Sequence, residues 1–175
     1  MGLFDIFKKK NEPVLAAFPE LSDYRIYIFL KGGAAGELKT LLNEYHELYI
    51  DETPFSMDLY NTNDQSWNYI SLTLLPNVGE VEPMWEYLNI LLWMSQKASV
   101  LFAYAVSDKP GKLPVFAEVN KADSLGETCL GIVNGKNFIC NIPERRAEWT
   151  GSVPVQYDLE KYIFERYGFD VHGGR

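Results

Sequence analysis

Apolar residues change their spacing several times along this chain, and each change marks an element. Tyr24 to Leu30 is a run of aromatic and aliphatic side chains followed by Gly32, Gly33 and Gly36, which predicts a strand that ends in a turn. Leu38, Leu41, Leu42, Tyr45, Leu48 and Tyr49 then recur at spacings of three and one, the stripe of a helix laid on a sheet, and Pro54 breaks it. Phe55, Met57 and Leu59 alternate with Ser56, Asp58 and Tyr60. After the Asn/Asp-rich segment 61–64 comes a second strand pattern, Trp67 to Leu75, so the two are read as antiparallel neighbours joined by a short turn.

A second helix is predicted from Pro83, at the first helical position, to about Ala98, with Glu82 and Glu86 near the positive end of its dipole. Val100 to Val106 follows as a strand. The order β-α-β-β-α-β predicts an α+β fold of the split βαβ, ferredoxin-like kind: an antiparallel sheet with two helices on one face. A C-terminal strand (Val115 to Asn120), a hairpin and a final helix extend it. Asn134-Gly135, between Cys129 to Val133 and Lys136 to Ile142, is the hairpin signal. A two-residue turn there sets Cys129 opposite Cys140, with Cα atoms about 5.5 Å apart or less, within disulfide reach. The final helix runs from Asp158 as N-cap to Gly168 as stop, with Tyr157 and Tyr162 placed for a hydrophobic staple.

The chain has 175 residues, 47% of them hydrophobic and 14% aromatic, enough for one core. Residues 1–12 read as a short amphipathic arm and 13–175 as a single α+β domain. No apolar run is long enough for a transmembrane span. In the arm, Leu3, Phe4, Ile6 and Phe7 precede Lys8 to Lys10, the reverse of a secretory signal, so the expected location is the cytoplasm. Weak peripheral membrane contact through residues 1–10 is the alternative role of that arm, against simple packing on the domain.

Charge is distributed unevenly. Between Lys39 and Lys97 there is no lysine or arginine, but there are nine carboxylates: Glu44, Glu47, Asp51, Glu52, Asp58, Asp64, Glu80, Glu82 and Glu86. The whole chain sums to −8, so the rest of it is close to neutral. In the predicted topology the first helix ends where the second begins. Glu44, Glu47, Asp51, Glu52, Glu80, Glu82 and Glu86 should therefore gather at one end of the sheet, where they form either a solvated face or a docking surface for a basic partner. Trp93 falls within the polar stripe of the second helix, among Glu86, Asn89, Gln96 and Lys97, as an aromatic anchor for a partner or as a side chain covered by a terminal segment.

Little points to catalysis. His46 and His172 are too far apart to suggest a metal site with the two cysteines, no Gly-x-Ser-x-Gly elbow is present, and no cofactor is implied. Gly32 to Gly36 precedes a helix but lacks the phosphate-loop pattern. Arg145 and Arg146 beside Trp149 read as solvated surface cations. The sheet face opposite the helices displays Tyr27, Phe29, Tyr69 and Tyr104, an alternative ligand face unless the final helix covers it. A net charge of −8 argues against nucleic acid there. The expectation is a non-catalytic protein-binding module with an acidic docking surface, such as an inhibitor or immunity-type protein that neutralises a basic partner. A small ligand-binding domain or enzyme using the aromatic face or the Gly32 to Gly36 turn is the alternative.

Overall fold

A computed structural model describes residues 18–49, 53–76, 82–152 and 158–173. Eight strands, β1 (Arg25–Lys31), β2 (Phe55–Asn61), β3 (Trp67–Leu74), β4 (Val100–Val106), β5 (Val115–Val119), β6 (Thr128–Val133), β7 (Lys136–Asn141) and β8 (Arg146–Ser152), form one sheet in the order β2-β3-β1-β4-β5-β6-β7-β8. Every neighbouring pair is antiparallel. Helix α1 (Ala35–Leu48) connects β1 to β2, α2 (Pro83–Met94) lies between β3 and β4, and α3 (Leu159–Tyr167) follows the sheet.

The alternation of β4 explains why the two faces differ. Ala103 and Ala105 point one way and Phe102 and Tyr104 the other, and all four are fully buried. On the first face Ala103, Ala105 and Ala117 leave room for α2, which joins Ile26, Ile28, Leu30 and the α1 residues Leu38, Leu41 and Leu42 in one cluster. Phe29, Trp67, Phe102, Tyr104 and Phe116 on the other face pack with Leu159 and Ile163 of α3 and with Phe169 and Val171 after it. The molecule therefore has three layers. Helix α3 begins with Asp158 Oδ1 accepting from the Lys161 N–H at 3.0 Å and is closed by Gly168.

Two expectations need correction. The sheet is larger than the sequence pattern predicted, because Arg146–Ser152, read as a surface segment, is the edge strand β8. Helix α2 is buried over most of its surface, with Met84 through Leu88, Ile90, Leu91 and Met94 buried, so the middle of its polar stripe is recessed: Glu86 is buried and Asn89 and Trp93 are half-buried, while Glu82, Gln96 and Lys97 at the two ends are exposed. It also stops at Met94, where Ser95 Oγ donates to the Leu92 carbonyl at 2.6 Å and a turn replaces the last helical residues. The hairpin matches the prediction: Asn134 and Gly135 have φ of 51° and 70°, and Cys129 pairs with Cys140, both as buried free thiols. The arm 1–12, Asp51, Glu52, Glu80 and Tyr157 lie outside the described residues. Among those described, no helix is long and apolar enough to cross a membrane.

Candidate functional site

Helices α1 and α2 pack antiparallel: Tyr45, late in α1, reaches Glu86, early in α2, while Leu41 meets Trp93 one turn or more away in each. The C-terminal end of α1 thus lies beside the N-terminal end of α2, which brings Glu47 and Glu82 toward one end of the molecule, whereas Glu44 lines a surface hollow with Thr40 and Lys97. All three are exposed, and none makes an ion pair among the described residues. Some carboxylates elsewhere are paired. Asp23 is held by Lys109 and Lys112, Asp108 by Arg25, Glu118 by Arg166, Glu144 and Glu148 by Arg146, and Glu165 by Lys161. Leu48, predicted to belong to the buried stripe of α1, is 65% exposed between these carboxylates and the helix end.

Glu86 does not share that surface. It is only 5% exposed, and its carboxylate accepts from Tyr45 Oη and from Asn89 Nδ2, both at 3.1 Å. Arg145 brings a guanidinium nitrogen to 3.6 Å of the same carboxylate, from the turn between β7 and β8. That arginine has a φ of 49°, an uncommon conformation for a residue with a side chain. Trp93 is half-buried: its indole Nε1 donates to the Leu41 carbonyl at 2.9 Å, and its ring meets Tyr45 and Tyr49 edge-on. The N-terminal arm, the expected cover of Trp93, lies outside the described residues. Together Tyr45, Tyr49, Glu86, Asn89, Trp93 and Arg145 line a polar cleft of about 480 Å³.

Of the predicted partner-binding residues, the structure therefore divides those it describes into two groups. Glu44, Glu47 and Glu82 are exposed, whereas Glu86 and Trp93 are in the cleft. Sequence reasoning placed Asn89 on one stripe with Glu86 and Trp93 but did not associate Tyr45, Tyr49 or Arg145 with them. Only the helical spacing of Tyr45 and Tyr49 hinted at a shared wall, and nothing in the spacing connects position 145 to position 86.

The alternative ligand face is largely covered. Phe29 and Tyr104 are fully buried, and Tyr104 Oη donates to Glu160 of α3 at 2.9 Å. Tyr27 and Tyr69 are half-buried against Phe29, and the exposed Tyr60 stacks on Tyr69 with ring centroids 5.2 Å apart. In the turn after β1, Gly32 and Gly33 have φ of 82° and 84°. A Cβ on Gly32 would collide with the Ser99 side chain, so this backbone is pressed against the turn before β4. His46 is exposed on α1, and His172 Nε2 lies 2.7 Å from Glu160. Among the described residues no group of three metal-binding side chains occurs. Comparisons with protein-family models, curated proteins and solved structures find no match to this chain.

Proposed function

We propose that this protein is a non-catalytic binding module of the cytoplasm whose exposed acidic end docks a basic protein, in the manner of an inhibitor or immunity-type protein. The observation that carries this reading is the local excess of one sign of charge: Glu44, Glu47 and Glu82 are exposed and make no ion pair among the described residues, and they belong to a stretch, 40–96, that holds no lysine or arginine. Glu44 and Glu47 lie near the negative end of the α1 dipole, where a carboxylate costs a few tenths to about 1 kcal/mol, so fold stability does not favour them. Leu48 beside them adds apolar area to the same patch, as interface centres do. A basic partner of this kind, such as a toxin acting on nucleic acid, would present its phosphate-binding surface, and complementary charge would speed the encounter.

We further read β1-α1-β2-β3-α2-β4 as a split βαβ, ferredoxin-like unit to which β5–β8 and α3 are added. The strand order β2-β3-β1-β4 supports it. The small-ligand alternative has less support, since α3 covers much of the aromatic face and the Gly32 turn is filled by Ser99.

The test is capture from a lysate of the native cells with the tagged full chain at roughly 50 and 500 mM salt, a range over which the Debye length falls severalfold. A basic protein held at the lower salt and released at the higher is the expected outcome. Retention that ignores salt would contradict a charge-driven surface.

A further inference from the structure

The cleft between α1, α2 and the β7–β8 turn contains a buried carboxylate whose charge is only partly answered. Glu86 accepts two hydrogen bonds, from Tyr45 and Asn89, and an ionised carboxylate has about four acceptor positions. Among the described residues the cation paired with it is Arg145, which stops at 3.6 Å from Oε1, beyond hydrogen-bond distance, and 54% of its side chain remains in solvent. A buried carboxylate is stable when a cation both pairs with it and donates to it, and Arg145 does only the first. Beside this carboxylate the rings of Tyr45, Tyr49 and Trp93 stand in mutual contact, with centroids 4.7, 5.6 and 6.2 Å apart, and Tyr49 and Trp93 cross at 85°. A carboxylate beside aromatic rings in an open cleft is a receptor for an organic cation, which gains from the ring faces as well as from the charge.

We propose that this cleft receives an arginine side chain of the basic partner, with Glu86 as its counter-ion, Tyr49 and Trp93 as its aromatic wall, and Arg145 as the resident cation that the incoming guanidinium displaces. The inference rests on the basic-partner reading above and specifies its central contact. Guanidinium is favoured over ammonium because the protein's own guanidinium already reaches this carboxylate, and because a planar fork can donate twice to one carboxylate while stacking on a ring. A volume of about 480 Å³ is ample for one such side chain. Displacement is inexpensive for Arg145, since its side chain is half-exposed and makes no hydrogen bond to Glu86.

The experiment titrates the ¹⁵N-labelled full chain with N-acetyl-arginine amide and follows the Trp93 indole signal, assigned with Trp93→Phe. N-acetyl-citrulline amide, neutral and nearly the same shape, and acetate are the comparison probes. A saturable shift with the arginine derivative alone is expected. Glu86→Gln should weaken it about tenfold or more, as loss of a charge-assisted hydrogen bond does, while Arg145→Asn should strengthen it severalfold. Glu47→Lys with Glu82→Lys should leave it nearly unchanged. No saturable shift, an equal response to citrulline, or a shift indifferent to Arg145→Asn would overturn the proposal even if Glu86→Gln failed to fold. An acetate response that vanishes in Arg145→Asn would make the cleft an anion site and overturn it as well. The two readings separate cleanly: a captured partner that is lost with the Lys double variant but kept by a folded Glu86→Gln sinks the cleft and leaves the acidic surface.

Discussion

Glu86 and Glu118 are both glutamates withdrawn from solvent, and the protein neutralises them differently. Glu118 receives both arms of Arg166, Nε at 3.0 Å and Nη2 at 2.7 Å, together with the Tyr167 hydroxyl. That arrangement holds the Tyr167 hydroxyl proton, through burial and its bond to Glu118, and raises its pKa. Arg166→Ala should therefore lower the unfolding free energy by about 2 kcal/mol, the scale of a hydrogen bond to a charged group, as read by urea denaturation. Asp123 is a third case, held by backbone N–H groups and the Thr128 side chain rather than by a cation. Its carboxylate accepts from the N–H groups of Leu125, Glu127 and Thr128 at 3.0 to 3.1 Å, and these bonds hold its pKa below the ordinary 3.8. Because the folded value lies below the unfolded one, its stabilisation is present above pH 3.8 and disappears as the pH falls through the lower folded value. Thermal melts of Asp123→Asn should show a lower melting temperature than wild type near neutrality and a shallower loss on acidification. Equal acid limbs would remove Asp123 as a contributor. None of these distinctions was legible in the sequence, since a helical wheel identifies Glu86 as polar but says nothing of Tyr45 or Arg145 packing over it.

At the scale of elements, the strands and helices were readable wherever apolar spacing was regular, and the turn chemistry fixed one register to the residue. Asn134-Gly135 specified the Cys129–Cys140 pairing because a two-residue turn with positive φ at both positions leaves no freedom of register. Strand β8 was missed although Ala147 and Trp149 alternate with Arg146 and Glu148, because charged side chains on a short edge strand look like a solvated loop. The burial of α2 was missed for a different reason. Its second wall is made by residues far away in sequence: Trp85 and Phe138 both pack edge-on to Phe18. Neighbouring β6 carries Gly131, where an added Cβ would meet the Phe116 carbonyl and the Phe138 ring. Gly131→Ala should thus cost about 1–3 kcal/mol by overpacking, measured by denaturant unfolding, and an unchanged midpoint would show that the Phe138 ring and the β5 backbone both give way freely.

Considered as a whole, the molecule is a sheet with α1 and α2 on one side and α3 on the other, and its charge follows the layers unevenly. Glu118 and Glu165 are paired with Arg166 and Lys161 around α3, whereas Glu44, Glu47 and Glu82 of α1 and the start of α2 make no ion pair among the described residues. The acidic segment could be located from sequence because a run of carboxylates without lysine or arginine is visible by counting. Its division into an exposed patch and a recessed cleft required the antiparallel packing of the two helices. The central claim is that the exposed patch binds by charge. Its most direct test is the dissociation constant of the captured basic partner for wild type and for Glu47→Lys with Glu82→Lys, each with its melting temperature, at about 50 and 500 mM salt. Binding by the double variant should be at least about tenfold weaker at low salt, with a smaller difference at high salt and a nearly unchanged melting temperature. Equal affinities of the two folded proteins at low salt would contradict that claim.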